Sequence, residues 1–198
     1  KRITSYARSS TLARKSVEEL QQLKAAGLNR IHVGLESGSD AVLAFVKKGV
    51  TAAQQIEGGQ RVVAAGIELS EYVMPGLGGR RLSREHALET ARVLNAINPD
   101  FIRIRSLALP AGTGLREKWE NGEFERPSDE EMVHELRLVV EHLDGIHSYV
   151  ASDHILNLLE ELEGQIDLCF IPTGLETAKL LEFGLDIEAR GRFPIVQE

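Results

Sequence analysis

The sequence predicts an α/β fold: parallel strands with outer helices, arranged as a partial (βα) barrel, plus a helical C-terminal extension. Three observations predict it. Strand-like runs at Arg2–Tyr6, Arg30–Glu36, Ile67–Met74 and Phe101–Leu107 recur roughly 28 to 37 residues apart, with a helical stretch between each pair. Strand–helix–strand units in series imply a parallel sheet with right-handed crossovers. A weak repeat marks the units: Ala25-Ala26-Gly27-Leu28 returns as Ala64-Ala65-Gly66-Ile67, a small-residue helix end leading into a strand. Four units are too few to close an eight-stranded barrel, which leaves a partial barrel or an open sheet. The 198 residues, 42% hydrophobic and 27% charged, suffice for a sizeable core.

Each helix carries its own start and stop signals. Ser16-Val17-Glu18-Glu19 is a capping box, in which a hydroxyl caps the backbone and a Glu three residues on reaches back. That helix carries Val17, Leu20 and Leu23 on one side and stops at Gly27, suited to a left-handed cap. Ser39 starts a second helix with Asp40 in its first turn, and Lys47-Lys48-Gly49 ends it with cations at the negative end of the dipole. Thr51-x-x-Gln54 starts a third, ending at Gly66. Its Gly58-Gly59 pair weakens the interior by about 1 kcal/mol per glycine, which points to close packing there or simply to a poor helix. A fourth runs from Ser83 to Ile97 and is stopped by Asn98-Pro99. Beyond Pro110 the pattern changes. Thr113–Asn121 reads as a short helix. Ser128-x-x-Glu131 is another capping box, heading a helix with Met132, Leu136, Val139, Val140 and Leu143 as its stripe. Ile146–Val150 reads as one more strand. Ser152-Asp153 caps a helix ending at Gly164, and the remainder holds one short helix near Leu175–Phe183 in an irregular tail.

Composition excludes several classes. No apolar run of about 18 residues spans a membrane. The chain begins at Lys1 without Met or an apolar leader, so no secretory route is visible and the sequence reads as a possible fragment starting inside a domain. The net charge of −7, with no Lys/Arg block, argues against non-specific duplex nucleic-acid binding. A single cysteine, Cys169, excludes an intrachain disulfide framework and any site held by several cysteines of this chain. A cytoplasmic, reducing compartment fits best.

In parallel α/β folds ligands bind beyond the carboxyl ends of the strands. There the sequence places Tyr6-Ala7-Arg8-Ser9, Gly34-Leu35-Glu36-Ser37-Gly38-Ser39-Asp40, Met74-Pro75-Gly76-Leu77-Gly78-Gly79-Arg80, and Ser106 through Gly114. Three glycine-rich loops on one face suggest backbone approaching a ligand. Glu36 is a carboxylate acceptor at a strand end, and Gly38 turns the chain toward the amino end of a helix. The same residues also serve a plain strand–turn–helix junction. The Pro75–Gly79 loop lacks the lysine of a P-loop and the spacing of a dinucleotide fingerprint. Arg103 and Arg105 alternate, so they share one face of their strand; one points inward to meet an acid such as Glu36, or makes an ordinary buried ion pair. His142, His147 and His154 with Asp144 and Asp153 match no strong metal-ligand pattern and read as solvated or core-edge histidines. No lysine sits near a strand end for a Schiff base, which argues against an aldolase-like phosphate-binding barrel.

Arg30-Ile31-His32-Val33-Gly34-Leu35-Glu36-Ser37-Gly38-Ser39-Asp40, followed by Val46-Lys47-Lys48-Gly49, resembles the fourth-strand region of radical SAM enzymes. The resemblance is to the branch containing the elongator-type, methylthiotransferase and coproporphyrinogen-dehydrogenase-like proteins. Ala65-Gly66-Ile67, Tyr72 through Gly79, and Pro110-Ala111-Gly112-Thr113-Gly114-Leu115 agree in order. Ser152 through Leu159 resembles the tail of uncharacterised iron–sulfur oxidoreductases of that type. The resemblance covers roughly residues 1 to 164. It implies residues 1–112 as C-terminal units of a partial TIM-like barrel, 113–164 as a helical extension, and 165–198 as an irregular tail.

The resemblance implies two cofactors, S-adenosylmethionine and a [4Fe–4S] cluster held by a CxxxCxxC loop, together generating a 5′-deoxyadenosyl radical on a substrate that remains unknown. An electron-donor protein is the implied partner. Matched residue by residue, Glu36 and Ser37 fall where the ribose or methionine part of S-adenosylmethionine is contacted. Arg8 falls where the cofactor carboxylate or substrate is paired, Met74 and Gly76 where backbone lies along adenine, and Leu109 where an apolar side chain covers adenine. No catalytic residue and no metal ligand is assigned. The departure is the missing CxxxCxxC. Truncation accounts for it if the first strand here matches the family's third; a degenerate member without its cluster is the other account. The chain therefore reads as the S-adenosylmethionine-binding portion of a radical SAM iron–sulfur oxidoreductase, with a non-catalytic nucleotide- or partner-binding barrel remnant as the alternative.

Overall fold

In the computed structural model of the chain, residues 2–152 and 166–167 are described. The expected helices after Ser152 and near Leu175–Phe183, and Cys169, lie outside the described residues.

The four expected strands form, each close to its expected place: β1 (Ile3–Ala7), β2 (Leu28–Glu36), β3 (Glu68–Val73) and β4 (Phe101–Ile104). They are adjacent and parallel in the order β1-β2-β3-β4. The fifth, β5 (Tyr149–Ala151), pairs parallel with β4. Where the sequence predicts only an irregular tail, Ile166–Asp167 forms a short β6 antiparallel to β5. Among the described residues β1 pairs with β2 alone, and its Ile3 and Tyr6 are 51% and 77% exposed.

The helices follow their local signals. In α2 (Val17–Ala25) the Ser16 hydroxyl accepts the Glu19 N–H at 3.2 Å while Glu19 accepts the Ser16 N–H at 2.7 Å. The same reciprocal box heads α4 (Ala52–Ala64) at Thr51/Gln54 and α7 (Asp129–Glu141) at Ser128/Glu131. Each box satisfies two amide donors that a helix start leaves orphaned. Gly27 and Gly66 take the left-handed conformation after α2 and α4. Between β2 and α4 lies α3 (Asp40–Phe45), capped by Ser39. Thr113 caps the short α6 (Gly114–Glu120). Two features were not legible. A single turn, α1 (Ser9–Leu12), follows β1 without any side-chain cap. The helix expected from Ser83, α5 (Gly79–Ile97), starts one turn earlier, at a glycine with no capping side chain.

Helices and sheet meet through one apolar cluster. Ile31, Val33 and Leu35 of β2, Leu69 and Val73 of β3, and Ile102 and Ile104 of β4 pack with Leu20, Val62, Ala91, Leu94 and Ile97 from the helices. The Gly58-Gly59 pair of α4 is explained here. A Cβ at Gly58 would stand 2.9 Å from the Ser9 carbonyl, and one at Gly59 2.7 Å from Ile97 Cγ2. The helix propensity lost at these glycines is offset by close approach of α1 and α5. A second cluster, Val42, Leu77, Leu107, Phe124 and Met132, lies beneath the loops that leave the strands' carboxyl ends.

Candidate functional site

Strand β2 ends irregularly. Its register against β3 shifts between Gly34 and Glu36, and Glu36 adopts φ +61°. A left-handed backbone at a non-glycine residue is unusual and costs of order 1 kcal/mol. The turn carries the Glu36 carboxylate back over Gly34, into the space a Cβ there would fill. Gly34 is thus needed for the carboxylate's seat. Lys48 Nζ pairs with Glu36 Oε1 at 3.2 Å, with both side chains partly exposed. The sequence reading offered Arg103 or Arg105 as a partner for an acid such as Glu36, beside an ordinary buried ion pair. The structure shows Lys48 instead, from the loop after α3, because the turn points the carboxylate toward its own following loop.

The backbone of Glu36 closes the ladder: its carbonyl accepts the Met74 N–H at 3.1 Å. The loops then diverge, and a chain of buried polar groups joins them. The Ser37 hydroxyl accepts the Ser39 N–H at 3.0 Å and lies 2.8 Å from His86 Nδ1. His86 Nε2 lies 3.1 Å from the Met74 carbonyl. A carbonyl only accepts, so Nε2 carries the ring proton and Nδ1 accepts from Ser37. Glu135 of α7 completes the group. Its Oε1 accepts the Gly76 N–H at 2.6 Å and sits 3.4 Å from His86 Nε2; its Oε2 accepts the Ser83 hydroxyl at 2.5 Å. Ser37, His86 and Glu135 are all buried. Burial lowers the His86 pKa to about 4, opposed by its bond to the Met74 carbonyl. Burial raises that of Glu135 to about 7, opposed by the Ser83 and Gly76 bonds. At neutral pH His86 is therefore a neutral imidazole and not half of an ion pair.

The sheet face opposite the helices is aromatic and basic. Tyr6, His32 and Tyr72 form a row: Tyr6 stacks on His32 with ring centroids 5.1 Å apart, and Tyr72 lies tilted against His32 at 5.7 Å. Arg105 lies 4.5 Å over the Tyr72 ring and Arg30 3.8 Å over Phe101. Burial, then the charges of Arg103, Arg30, Arg2 and Arg105, hold the His32 pKa below its usual value. Glu68 pairs with Arg30 at 3.0 Å and also with Arg2.

The sequence-derived residues divide accordingly. Glu36 is at the mouth, with a partly exposed carboxylate. Ser37 lies beside it, but its hydroxyl faces inward to His86. Met74 and Gly76 line the adjacent loop, and the Gly76 backbone is pressed under Met132, whose Sδ would lie 2.6 Å from an added Cβ. Leu109 packs against the second apolar cluster. Arg8 is exposed and caps α1 through its backbone carbonyl. Gly38, read as a turn residue, has a different reason: a Cβ there would collide with the Glu89 backbone of α5. His142 and His147 are exposed, and His154 is outside the described residues. Among the described residues no three His, Cys, Asp or Glu side chains converge as metal ligands. Sequence reasoning missed His86, Glu135 and Lys48, and no spacing signal pointed to them. No described helix is long and apolar enough to cross a membrane.

Residues 1–94 match the radical SAM superfamily. Two proteins named tRNA uridine(34) acetyltransferase, from Methanocaldococcus jannaschii and Methanocaldococcus infernus, are 26% and 27% identical over 117 and 119 residues. Those matches cover 59% and 60% of this chain and 22% of each relative, so the chain spans about a fifth of the length of the curated relatives it matches. The solved structure of the archaeal Methanocaldococcus infernus Elp3 with an N-terminal deletion superposes with a TM-score of 0.63 at 20% identity, over 96% of this chain and 42% of that one. Methylornithine synthase (PylB) does so at 0.52 and 16%, over 95% and 61%. These likenesses show a shared fold: five parallel strands of one open sheet with outer helices, the partial-barrel arrangement. The sequence match runs through β1, β2 and β3, so over residues 1–94 this chain is similar to the radical SAM superfamily.

Proposed function

We propose that the mouth formed by the loops after β2 and β3 binds S-adenosylmethionine, as the cofactor-binding portion of a radical SAM iron–sulfur oxidoreductase. The observation that carries this is the seat of Glu36. A carboxylate held over Gly34 by a left-handed turn, beside the Met74 backbone, is a fixed acceptor at the strand ends. Two ribose hydroxyls or the methionine ammonium are donors of the kind it would accept. The residues present do not fit an iron–sulfur cluster: the chain has one cysteine, and no ligand group converges among the described residues. Bound S-adenosylmethionine would bring the radical chemistry, and this chain's residues would hold and orient it.

The names of the two relatives extend the reading to a uridine of transfer RNA as the substrate. The Tyr6–His32–Tyr72 row and the arginines on the inner face are chemistry that stacks on bases and meets phosphates. The single cysteine favours a second reading, a barrel that binds the nucleotide cofactor without chemistry of its own.

The test is titration of S-adenosylmethionine by calorimetry into the folded chain and its Glu36→Gln variant. A charged acceptor is worth roughly 1.5–3 kcal/mol per bond, so affinity should fall about ten- to a hundredfold at 1.4 kcal/mol per decade. Unchanged affinity together with a large drop in melting temperature would make Glu36 a structural partner of Lys48 and overturn the reading.

A further inference from the structure

We propose that His86 is a positioning residue that locks the two loops of the cofactor mouth to each other; the proposal rests on the assignment of that mouth to S-adenosylmethionine. The ladder between β2 and β3 ends at the bond from Met74 N–H to the Glu36 carbonyl. Beyond it the two loops share no ladder bond, yet both must hold still for a ligand to meet a fixed surface. His86, on α5, supplies the missing connection. Its Nδ1 takes the Ser37 hydroxyl at 2.8 Å, and its Nε2–H reaches the Met74 carbonyl at 3.1 Å.

Every member of this chain is spoken for. The lone pair of Ser37 takes the Ser39 N–H, so the hydroxyl proton is free to point at His86. Thr90, one turn along α5, accepts the Gly38 N–H at 3.0 Å and holds the same loop from its other side. Glu135 fastens the second loop by accepting the Gly76 N–H, and fastens α5 by accepting the Ser83 hydroxyl. A fully satisfied buried network is rigid, and each group lost leaves another unpaired. The ring makes the choice of histidine specific. One side must accept and the other donate, on opposite edges of one flat group, with no net charge in a buried site. Phe fills the volume and does neither. Gln donates at the position of Nε2 but has no acceptor at that of Nδ1.

The test uses hydrogen–deuterium exchange of the full chain, read at residues 36–39 and 74–79, alongside S-adenosylmethionine titration. In His86→Phe, exchange should accelerate at least tenfold in both segments. In His86→Gln, protection should persist at 74–79 and be lost at 36–39. In Ser37→Ala, only 36–39 should loosen. All three variants should weaken S-adenosylmethionine three- to tenfold. If His86→Phe does not fold, Ser37→Ala and His86→Gln carry the test between them. Unchanged exchange in both segments overturns the proposal. So does unchanged cofactor affinity in all three variants while Glu36→Gln loses tenfold, which would leave His86 as core packing. Should Glu36→Gln itself change nothing, the cofactor assignment has failed and the exchange pattern decides the coupling of the loops by itself.

Discussion

The two faces of the central strands are built from alternate residues of the same segments, and they differ in kind. Toward the helices stand Ile31, Val33, Leu35, Leu69, Val73, Ile102 and Ile104, each at most 5% exposed. On the other face stand Arg30, His32, Tyr72, Arg103 and Arg105, stacked on one another and on Phe101. A parallel strand covered by apolar packing on both sides would read as one continuous hydrophobic run. Here only one face is spent on the core. The other is left polar and partly open. Apolar packing and the polar, aromatic surface are thus separated by a period of two along the chain.

One residue crosses that division. Glu71 pairs in register with Val33 and Ile102, whose side chains belong to the helix-side core. Its side chain is buried, and its Oε2 has no hydrogen-bond partner. Burial, then the charge of Glu36, raises its pKa well above the usual carboxylate range, opposed by Lys48. It is therefore a neutral acid in an apolar layer, beneath the mouth that Glu36 and Lys48 occupy.

The sharpest way to break the comparison is to cut each face by truncation. Leu35→Ala, in the core face, should cost about 2–5 kcal/mol in chemical denaturation. His32→Ala, on the open face, should cost less than about 1 kcal/mol, since a partly exposed stacked pair contributes little beyond its area. Equal losses would mean that the open face is also core.

Titration gives the next largest effect. The raised Glu135 pKa contributes stability that is present below about 4.5 and lost as pH rises through about 7. The lowered His86 pKa contributes stability present above 6.5 and lost as pH falls through about 4. Each is worth roughly 3 kcal/mol at 1.36 kcal/mol per unit. Their slopes oppose, so between pH 4.5 and 6.5 the wild-type unfolding free energy should be nearly flat from this pair. In Glu135→Gln the His86 contribution is left alone, and stability should climb with pH across that interval. A flat profile in the variant would refute the paired assignment.

Glu71→Met sharpens the comparison from the other side by making the core face uniformly apolar. Removing an unpaired buried carboxyl should stabilise the chain by about 1–3 kcal/mol. It should also remove part of the loss of stability on raising the pH. A destabilised variant would show that Glu71 has a partner in solution.

Much of the architecture is legible in the sequence. The capping boxes at Ser16, Thr51 and Ser128 and the left-handed glycines after α2 and α4 act over three or four residues, so the local sequence dictates them. The strand spacing then admitted one handedness and so one sheet order. Glu36 was legible as a strand-end carboxylate because the position follows from the strand. Its partner was not, since the choice of Lys48 depends on a single left-handed residue. The α5 start was misplaced because no side chain caps it.

By itself, then, the sequence determined most of the elements and their order, because hydrogen bonding within a turn and hydrophobic period are local properties. Only the tertiary structure decided that Ser37, His86 and Glu135 are neighbours. Ser37 and His86 are 49 residues apart in the chain, and Gly76 and Glu135 are 59 apart. No periodicity relates them. They meet because α5 and α7 dock against the same two loops, and a buried polar group accepts only the partners that docking brings within reach.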